Sequence, residues 1–306
     1  MTGSLDGRVV IVTGAGQGLG QAYALDLAAR KARVVVNTRP RSDGRPASGE
    51  ALVEQILASG GQAVACTVAL EDEDAGDQLL DSALQAFGAV DALVNNAGPP
   101  EAKPLHELAM ADVHKCFSVN YFGTLAATLP TYRHMREQGF GRIVMTTSAA
   151  GVYSVRTMAA YSSAKAAIIG LTRVIALEGG PQNVHCNAVA PYALTDLSSG
   201  YVEDDGAGTM PPGLIAPVVS WLAAPDCPLN GETIVTGAGK ICRAVRVQGP
   251  GVQFDPPETI SPEGISAHLD DTLSLADWTM PAHGIAAYHA FRQTSAPVIV
   301  RSSDLP

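Results

Sequence analysis

The sequence predicts an α/β fold: a doubly wound parallel sheet of seven strands, followed by a proline-rich C-terminal extension. Three observations predict it. Short runs of Val, Ile, Leu and Ala recur along the first 240 residues, each followed by apolar residues at helical spacing. Parallel neighbours need crossover connections, and strands alternating with helices supply them. Past Gly239 the alternation stops, and Pro250, Pro256, Pro257, Pro262, Pro281 and Pro297 follow.

Val9–Val12 is a β-branched run of the kind that forms a strand buried on both faces. It leads into Thr13-Gly14-Ala15-Gly16-Gln17-Gly18-Leu19-Gly20 and an alanine-rich helical stretch to about Arg30. Strand, glycine-rich turn and helix let the backbone approach a pyrophosphate at the positive end of the helix. Gly-x-Gly-x-x-Gly does not fit in register from Gly14, because position 19 is leucine; the spacing that fits is Thr-Gly-x-x-x-Gly-x-Gly. Val34–Val36 reads as the second strand. The helix at about 49–59 carries Leu52, Val53, Ile56 and Leu57, and Gly60-Gly61 ends it. A third strand (62–67) and a helix (72–87) with Leu79, Leu80, Ala83, Leu84 and Phe87 come next. Asp91–Val94 is the fourth strand, ending in Asn95-Asn96-Ala97-Gly98. Helices at 105–116 and 121–138 precede a fifth strand, Ile143–Met145, which ends near Ser148. After a helix at 159–178 come a sixth strand (184–190), a loop (191–213), a helix (213–224) and a seventh strand (233–236).

The helix at 159–178 has an apolar stripe of Ala164, Ile168, Leu171 and Ile175, with Val174 alongside. Tyr161 and Lys165, four residues apart, share one face. A free tyrosine, with a pKa near ~10, is a poor base at neutral pH. A neighbouring ammonium favours the phenolate and is expected to lower that pKa. Tyr-x-x-x-Lys can thus build a tuned proton donor and acceptor. The plainer reading of the pentapeptide alone is a surface lysine beside a core tyrosine.

The 306 residues are 46% apolar and 16% charged, enough for a sizeable core. The formal charge of −10 disfavours nucleic acid and anionic membrane as partners. Five cysteines, none in a Cys-x-x-Cys pair, read as small residues in or near the core of a cytoplasmic protein. The seven histidines show no metal-binding spacing, so no metal is expected. Val9–Val12 is too short for a signal peptide, and no apolar segment is expected to span a membrane. The expected division is a domain at 1–240, including a pocket loop at 192–213, and an extension at 241–306. Ser261-Pro262-Glu263 looks like a helix start. At 66 residues the extension is small for a core of its own. It is expected to pack on the domain or on a neighbouring subunit.

These motifs, in this order, resemble the short-chain dehydrogenase/reductase family, whose fold is of the Rossmann type. The likeness covers about residues 5–240 and rests on Thr13…Gly20, Asn95–Gly98, Asn120 in Ser-Val-Asn-Tyr, Ser148 and Tyr161-x-x-x-Lys165. Within the family the chain resembles the (3R)-hydroxyacyl-CoA dehydrogenase units of type 2 peroxisomal multifunctional enzymes and their stand-alone bacterial relatives. Gly18–Leu25, Asn183–Asn187 and Asn230–Gly239 carry that likeness. The resemblance implies hydride exchange between a nicotinamide dinucleotide and a secondary alcohol or ketone. Tyr161 would move the proton of the substrate oxygen. Lys165 would tune Tyr161 and hold the nicotinamide ribose, Ser148 would donate to the substrate oxygen, and Asn120 would order a water beside Lys165. Gly14, Gln17, Gly18, Leu19, Gly20, Arg39, Asn96, Ala97, Gly98, Tyr161, Lys165 and Pro191 would line the dinucleotide, with Asn96 at the adenosine side. The resemblance also implies a homodimer or homotetramer.

Three departures from the family pattern carry expectations. Thr38 stands where NAD-using members have aspartate, and Arg39 follows it. An aspartate would repel a 2′-phosphate and an arginine pairs with one, so NADP is expected over NAD. The rival reading is that Arg39, Arg41 and Arg45 form a solvated basic loop. Val68 stands where an aspartate often meets the adenine amine. Pro191-Tyr192 replaces Pro-Gly, so Tyr192 either reaches the substrate side or packs on a neighbouring loop. In the pocket loop, Leu194, Tyr201 and Met210 suggest an apolar wall, while Glu203, Asp204 and Asp205 disfavour an anion there. Lys240, Arg243 and Arg246 can meet CoA phosphates or simply be solvated. The expected substrate is a 3-hydroxyacyl-CoA or 3-ketoacyl-CoA, with a steroid or other bulky hydroxy or keto compound as the alternative. A cofactor-binding regulator without turnover is the rival from another class.

Overall fold

A computed structural model of the chain describes residues 4–41, 47–193, 210–293 and 298–301. Most of the pocket loop, including Leu194, Tyr201, Glu203, Asp204 and Asp205, lies outside the described residues, as does Arg45. The chain divides into two compact units, Met1–Ala244 and Val245–Pro306.

In the first unit the strands are β1 (Val9–Val12), β2 (Arg33–Thr38), β3 (Gln62–Thr67), β4 (Ala92–Asn95), β5 (Gly141–Thr146), β6 (Val184–Pro191), β7 (Thr233–Gly237) and β8 (Lys240–Ala244). They form one sheet in the order β3-β2-β1-β4-β5-β6-β7-β8. The seven predicted strands run parallel. The sheet gains an eighth, because Lys240–Ala244 turns back and pairs antiparallel with β7. The first unit therefore ends at Ala244 rather than at 240. Cys242 lies on this edge strand and is exposed, whereas the other four cysteines are buried.

Successive strand residues point to opposite faces, and the core divides accordingly. Val10, Val12, Val34, Val36, Val94 and Val144 face one cluster with Leu27, Leu52 and Leu222. Val9, Ile11, Val35, Leu93, Ile143 and Met145 face the other with Leu79, Ile168 and Ile175. Helices α1 (Gly18–Ala29), α2 (Ser48–Ala58) and α8 (Ala216–Ala223) contribute to the first face. Helices α3 (Ala75–Phe87), α5 (Thr124–Gln138) and α7 (Ala159–Gly179) contribute to the second. The order in which successive strands are added reverses sides at β1 and β4, and ligands of open α/β sheets sit at such a switch.

The two helices expected at 105–116 and 121–138 are in fact a 3₁₀ turn at Leu105–Glu107, α4 (Met110–Phe117), a π turn at Ser118–Gly123, and α5. The wide turn coincides with threonines that bond back to the helix: Thr124 Oγ1 donates to the Asn120 carbonyl at 3.1 Å, and Thr128 Oγ1 to that of Thr124 at 2.6 Å. On α7 the stripe Ala164, Ile168 and Ile175 is buried, but Val174 is 48% exposed and lies off it. The run 159–182 is, contrary to expectation, long and apolar enough by composition to cross a membrane. Its apolar side is packed on the sheet as a core helix.

The second unit has a parallel pair, β9 (Val252–Asp255) and β10 (Val298–Arg301), and helices α9 (Pro262–Ala267), α10 (Leu269–Leu273) and α11 (Gly284–Gln293). Ser261 caps α9 as its sequence suggests, the hydroxyl accepting the Gly264 N–H at 3.0 Å. Phe254 is buried, whereas Trp278, Ile285 and Phe291 are 52%, 68% and 74% exposed.

Candidate active site

The glycine turn is fastened before any ligand arrives. Asn37 at the end of β2 is buried; its Oδ1 accepts the Gly14 N–H at 3.3 Å, and its Nδ2 donates to the Cys66 and Val68 carbonyls at 3.1 Å each. Thr13 Oγ1 accepts the N–H groups of Asn96 and Ala97 at 3.0 and 3.2 Å. Asn96 Nδ2 donates to the carbonyls of Thr13 and Gly14 at 3.1 Å each. Asn96, expected at the adenosine side, therefore spends its amide on the turn.

The turn also needs its glycines. Gly14 has φ +61°, and a Cβ on it would stand 2.8 Å from Ala97 Cα; one on Gly20 would stand 2.3 Å from the Gly14 carbonyl. Gln17 is extended ahead of α1, and neither its side chain nor an acidic residue in the first turn covers the opening N–H groups. Gly18 and Leu19 follow it. These donors, with the helix dipole, suit a pyrophosphate.

Four side chains converge where β4 and β5 end. Ser148 follows β5 and caps α6 (Ala149–Tyr153), accepting the Ala150 N–H at 3.1 Å. A Cβ on Gly151 would meet the Lys165 backbone at 2.7 Å, so α6 rests directly on α7. Thr147 Oγ1 donates to the Lys165 carbonyl at 2.7 Å and locks that contact. Lys165 is 2% exposed, and its Nζ donates to the Thr146 carbonyl at 3.1 Å and lies 5.6 Å from the Tyr161 ring centre. Asn120, in the π turn, donates through Nδ2 to the carbonyls of Pro99 and Cys116 at 3.2 and 3.1 Å. Its Oδ1 is buried without a hydrogen-bond partner among the described residues. A Cβ on Gly98, whose φ is +142°, would stand 2.3 Å from that Oδ1 and 3.0 Å from Lys165 Nζ. An orphaned acceptor and a lysine with spare donors face the same point, and a cofactor ribose or a water fits that chemistry.

Burial dominates the electrostatics. It pushes the Tyr161 phenol up to about 12, with hydrogen bonding to Ser148 pulling the other way. It pushes the Lys165 ammonium down to about 8. The expectation that Lys165 lowers the Tyr161 pKa thus fails for the chain alone. Both groups lose water, and each is shifted toward its neutral form. The phenol is held as a proton donor, and any drop in its pKa must come from charge added to the site.

At the end expected to take the adenosine, Thr38 Oγ1 is buried without a hydrogen-bond partner among the described residues. It lies 2.8 Å from where a Gly49 Cβ would be, at the first turn of α2. Arg39 is ion-paired with Glu71. Val68 turns into the core, its N–H donating to the Thr38 carbonyl at 3.1 Å, so Thr67 is the exposed residue there. Pro191 ends β6 opposite Thr236. Tyr192 is 41% exposed, with its backbone pressed on Gly237, where a Cβ would stand 2.7 Å from the Tyr192 carbonyl. Arg243 is held by Glu232 at 2.6 and 2.7 Å.

Sequence reasoning missed Asn37, Thr147, Gly151 and Glu71. Asn37 had a signal, a polar residue closing an apolar strand. Glu71 had none, since its partner lies 32 residues away in the sequence.

A dinucleotide cradle at the sheet switch beside buried Tyr161, Lys165 and Asn120 and the half-buried Ser148 defines a nucleotide-dependent oxidoreductase. The family model for short chain dehydrogenases matches residues 8–205. A short-chain type dehydrogenase/reductase of Mycobacterium tuberculosis is 34% identical over 257 residues, covering 83% of this chain and 90% of that protein. Peroxisomal multifunctional enzyme type 2 of Mus musculus is 39% identical over 240 residues, 77% of this chain and 32% of that protein. The crystal structure of a short chain dehydrogenase from Mycobacterium avium gives a TM-score of 0.79 at 34% identity, covering 89% of this chain and 97% of that one. The chain belongs to the short-chain dehydrogenase family. It is a dehydrogenase/reductase that uses NAD(P) and acts on a small molecule. It spans about a third of the multifunctional relative, matching 32% of its length.

Proposed function

We propose that the chain interconverts a secondary alcohol and a ketone on a 3-hydroxyacyl-CoA or 3-ketoacyl-CoA, with NADP(H) favoured over NAD(H). The convergence of Ser148, Tyr161, Lys165 and Asn120 carries the reaction type. The cofactor, when bound, gives or takes the hydride. Tyr161 holds the proton that passes to or from the substrate oxygen, and the Ser148 hydroxyl donates to that oxygen as charge develops. Lys165 and Asn120 Oδ1 secure the ribose side and a water.

The acyl-CoA reading rests on the likeness to the multifunctional enzymes. Against it, Arg243 is already engaged by Glu232, which reduces the basic cluster available to CoA phosphates. That observation favours a steroid or another uncharged bulky substrate as the second reading. NADP(H) is supported by the absence of a carboxylate at Thr38 and by Arg39 next to it. We also propose a cytoplasmic homodimer or homotetramer that binds neither nucleic acid nor membrane, the charge of −10 supporting the latter.

The test is a panel of hydroxyacyl-CoAs, steroids and simple ketones with NADPH and NADH, followed at the nicotinamide absorbance. Turnover restricted to steroids would replace the acyl-CoA reading. A clear NADH advantage in kcat/KM would remove the NADP(H) reading. Light scattering in solution gives the subunit number.

A further inference from the structure

We propose that Glu71 is a specificity-determining residue for the cofactor: its carboxylate holds the Arg39 guanidinium and competes with a 2′-phosphate for it. This rests on the reading that Arg39 receives that phosphate.

The sheet brings the two together. Thr38 and Thr67 are register partners at the ends of β2 and β3, so both chains leave the same edge side by side. Arg39 is the first residue beyond one strand, and Glu71 lies in the turn beyond the other. Their side chains meet as an ion pair. The Arg39 side chain is 59% exposed and that of Glu71 27%, so the carboxylate is the more enclosed partner. The glycine turn packs on Thr38, the residue before Arg39, and on the start of α2: a Cβ on Gly16 would lie 1.9 Å from Ser48 Oγ and 2.9 Å from Thr38 Cγ2.

The chemistry then divides by cofactor. A 2′-phosphate competes for the guanidinium, whose Nη2 Glu71 already holds, and it meets a carboxylate of its own sign. A plain 2′-hydroxyl loses neither. Glu71 therefore weakens binding of the phosphorylated cofactor and leaves the other nearly untouched. It acts as a brake on the preference that Arg39 supplies.

Calorimetric binding of adenosine 2′,5′-bisphosphate and of 5′-AMP tests this without turnover. The proteins are the full chain and its Glu71→Gln, Glu71→Ala, Arg39→Ala and Arg39→Ala/Glu71→Gln variants. Removing an exposed pair frees a modest energy, so both Glu71 variants should tighten the bisphosphate about fivefold. AMP should stay within about twofold by the same measure, and the gain should vanish without Arg39. Weaker or unchanged bisphosphate binding in the Glu71 variants would show that Glu71 orients Arg39 or is idle, and would overturn the proposal. So would equal tightening of AMP. If the unmodified chain binds both ligands alike, the NADP(H) preference falls. An Arg39-dependent gain in Glu71→Gln would then still support the brake, and its absence would remove both.

Discussion

The two ends of the cofactor cleft are built on opposite principles. At the catalytic end Lys165 and Asn120 are 2% and 1% exposed, the acceptor Asn120 Oδ1 is orphaned, and burial drives both Tyr161 and Lys165 toward neutrality. At the adenosine end an exposed guanidinium pairs with a partly exposed carboxylate. Buried groups leave no slack, because each lost partner costs a full desolvation penalty. Exposed charges are screened and can be retuned cheaply. On the proposed reading, chemistry is fixed at one end and cofactor choice is adjustable at the other.

The largest break in this contrast should come from Tyr161→Phe. It removes the proton and little volume. Turnover should fall about a thousandfold, within the range for general acid–base groups, while the Kd for NADP+ stays within a few fold. Normal turnover would mean another group carries the proton.

Lys165→Met should separate function from stability. Turnover should fall by about a hundredfold or more. The fold should nonetheless gain stability near neutral pH. The Lys165 pKa lies at about 8 in the fold against 10.5 unfolded. The unfolded chain therefore binds more protons between those values, and stability rises with pH there. The buried charge costs about 3 kcal/mol below pH 8, offset by about 1–2 kcal/mol for the bond lost to Thr146. Urea unfolding should show a gain at pH 7 that shrinks or reverses by pH 10.5. A gain that does not change with pH would refute the charge-burial account.

Arg39→Asp probes the adjustable end. It should reverse the cofactor preference, lowering the NADPH to NADH ratio of kcat/KM by roughly 30-fold or more, as a phosphate contact becomes a repulsion. Turnover with saturating NADH should be unchanged, which sets this variant apart from the two above.

The same contrast explains what was legible in the sequence. Strand runs, helix stripes and the Tyr161/Lys165 spacing are local patterns, and the parallel sheet follows them. The antiparallel strand Lys240–Ala244 was not legible, since its residues carry no strong apolar signal and only pairing with β7 makes it a strand. The π turn at Ser118–Gly123 was not legible, because the stripes at 105–116 and 121–138 leave a gap across its first half and the threonine back-bonds that accompany it are a property of the folded helix. The upward shift of Tyr161 depends on how many atoms surround it, which spacing does not encode. Val174 was misplaced because one residue is enough to carry a side chain off the stripe, leaving it 48% exposed.

Salt gives the smallest effect and separates the two ends without a mutation. Screening acts on exposed charges and much less on buried ones. Raising ionic strength from about 0.02 to 0.3 M shortens the Debye length severalfold. The KM for NADPH should then rise a few fold, because the attraction at Arg39 is solvent-exposed. The KM for NADH should move by less, lacking the 2′-phosphate. At saturating cofactor kcat should hold steady, as Tyr161 and Lys165 are shielded by protein rather than by water. Equal salt dependence of the two cofactors would place their discrimination away from Arg39, in the buried part of the cleft near Thr38.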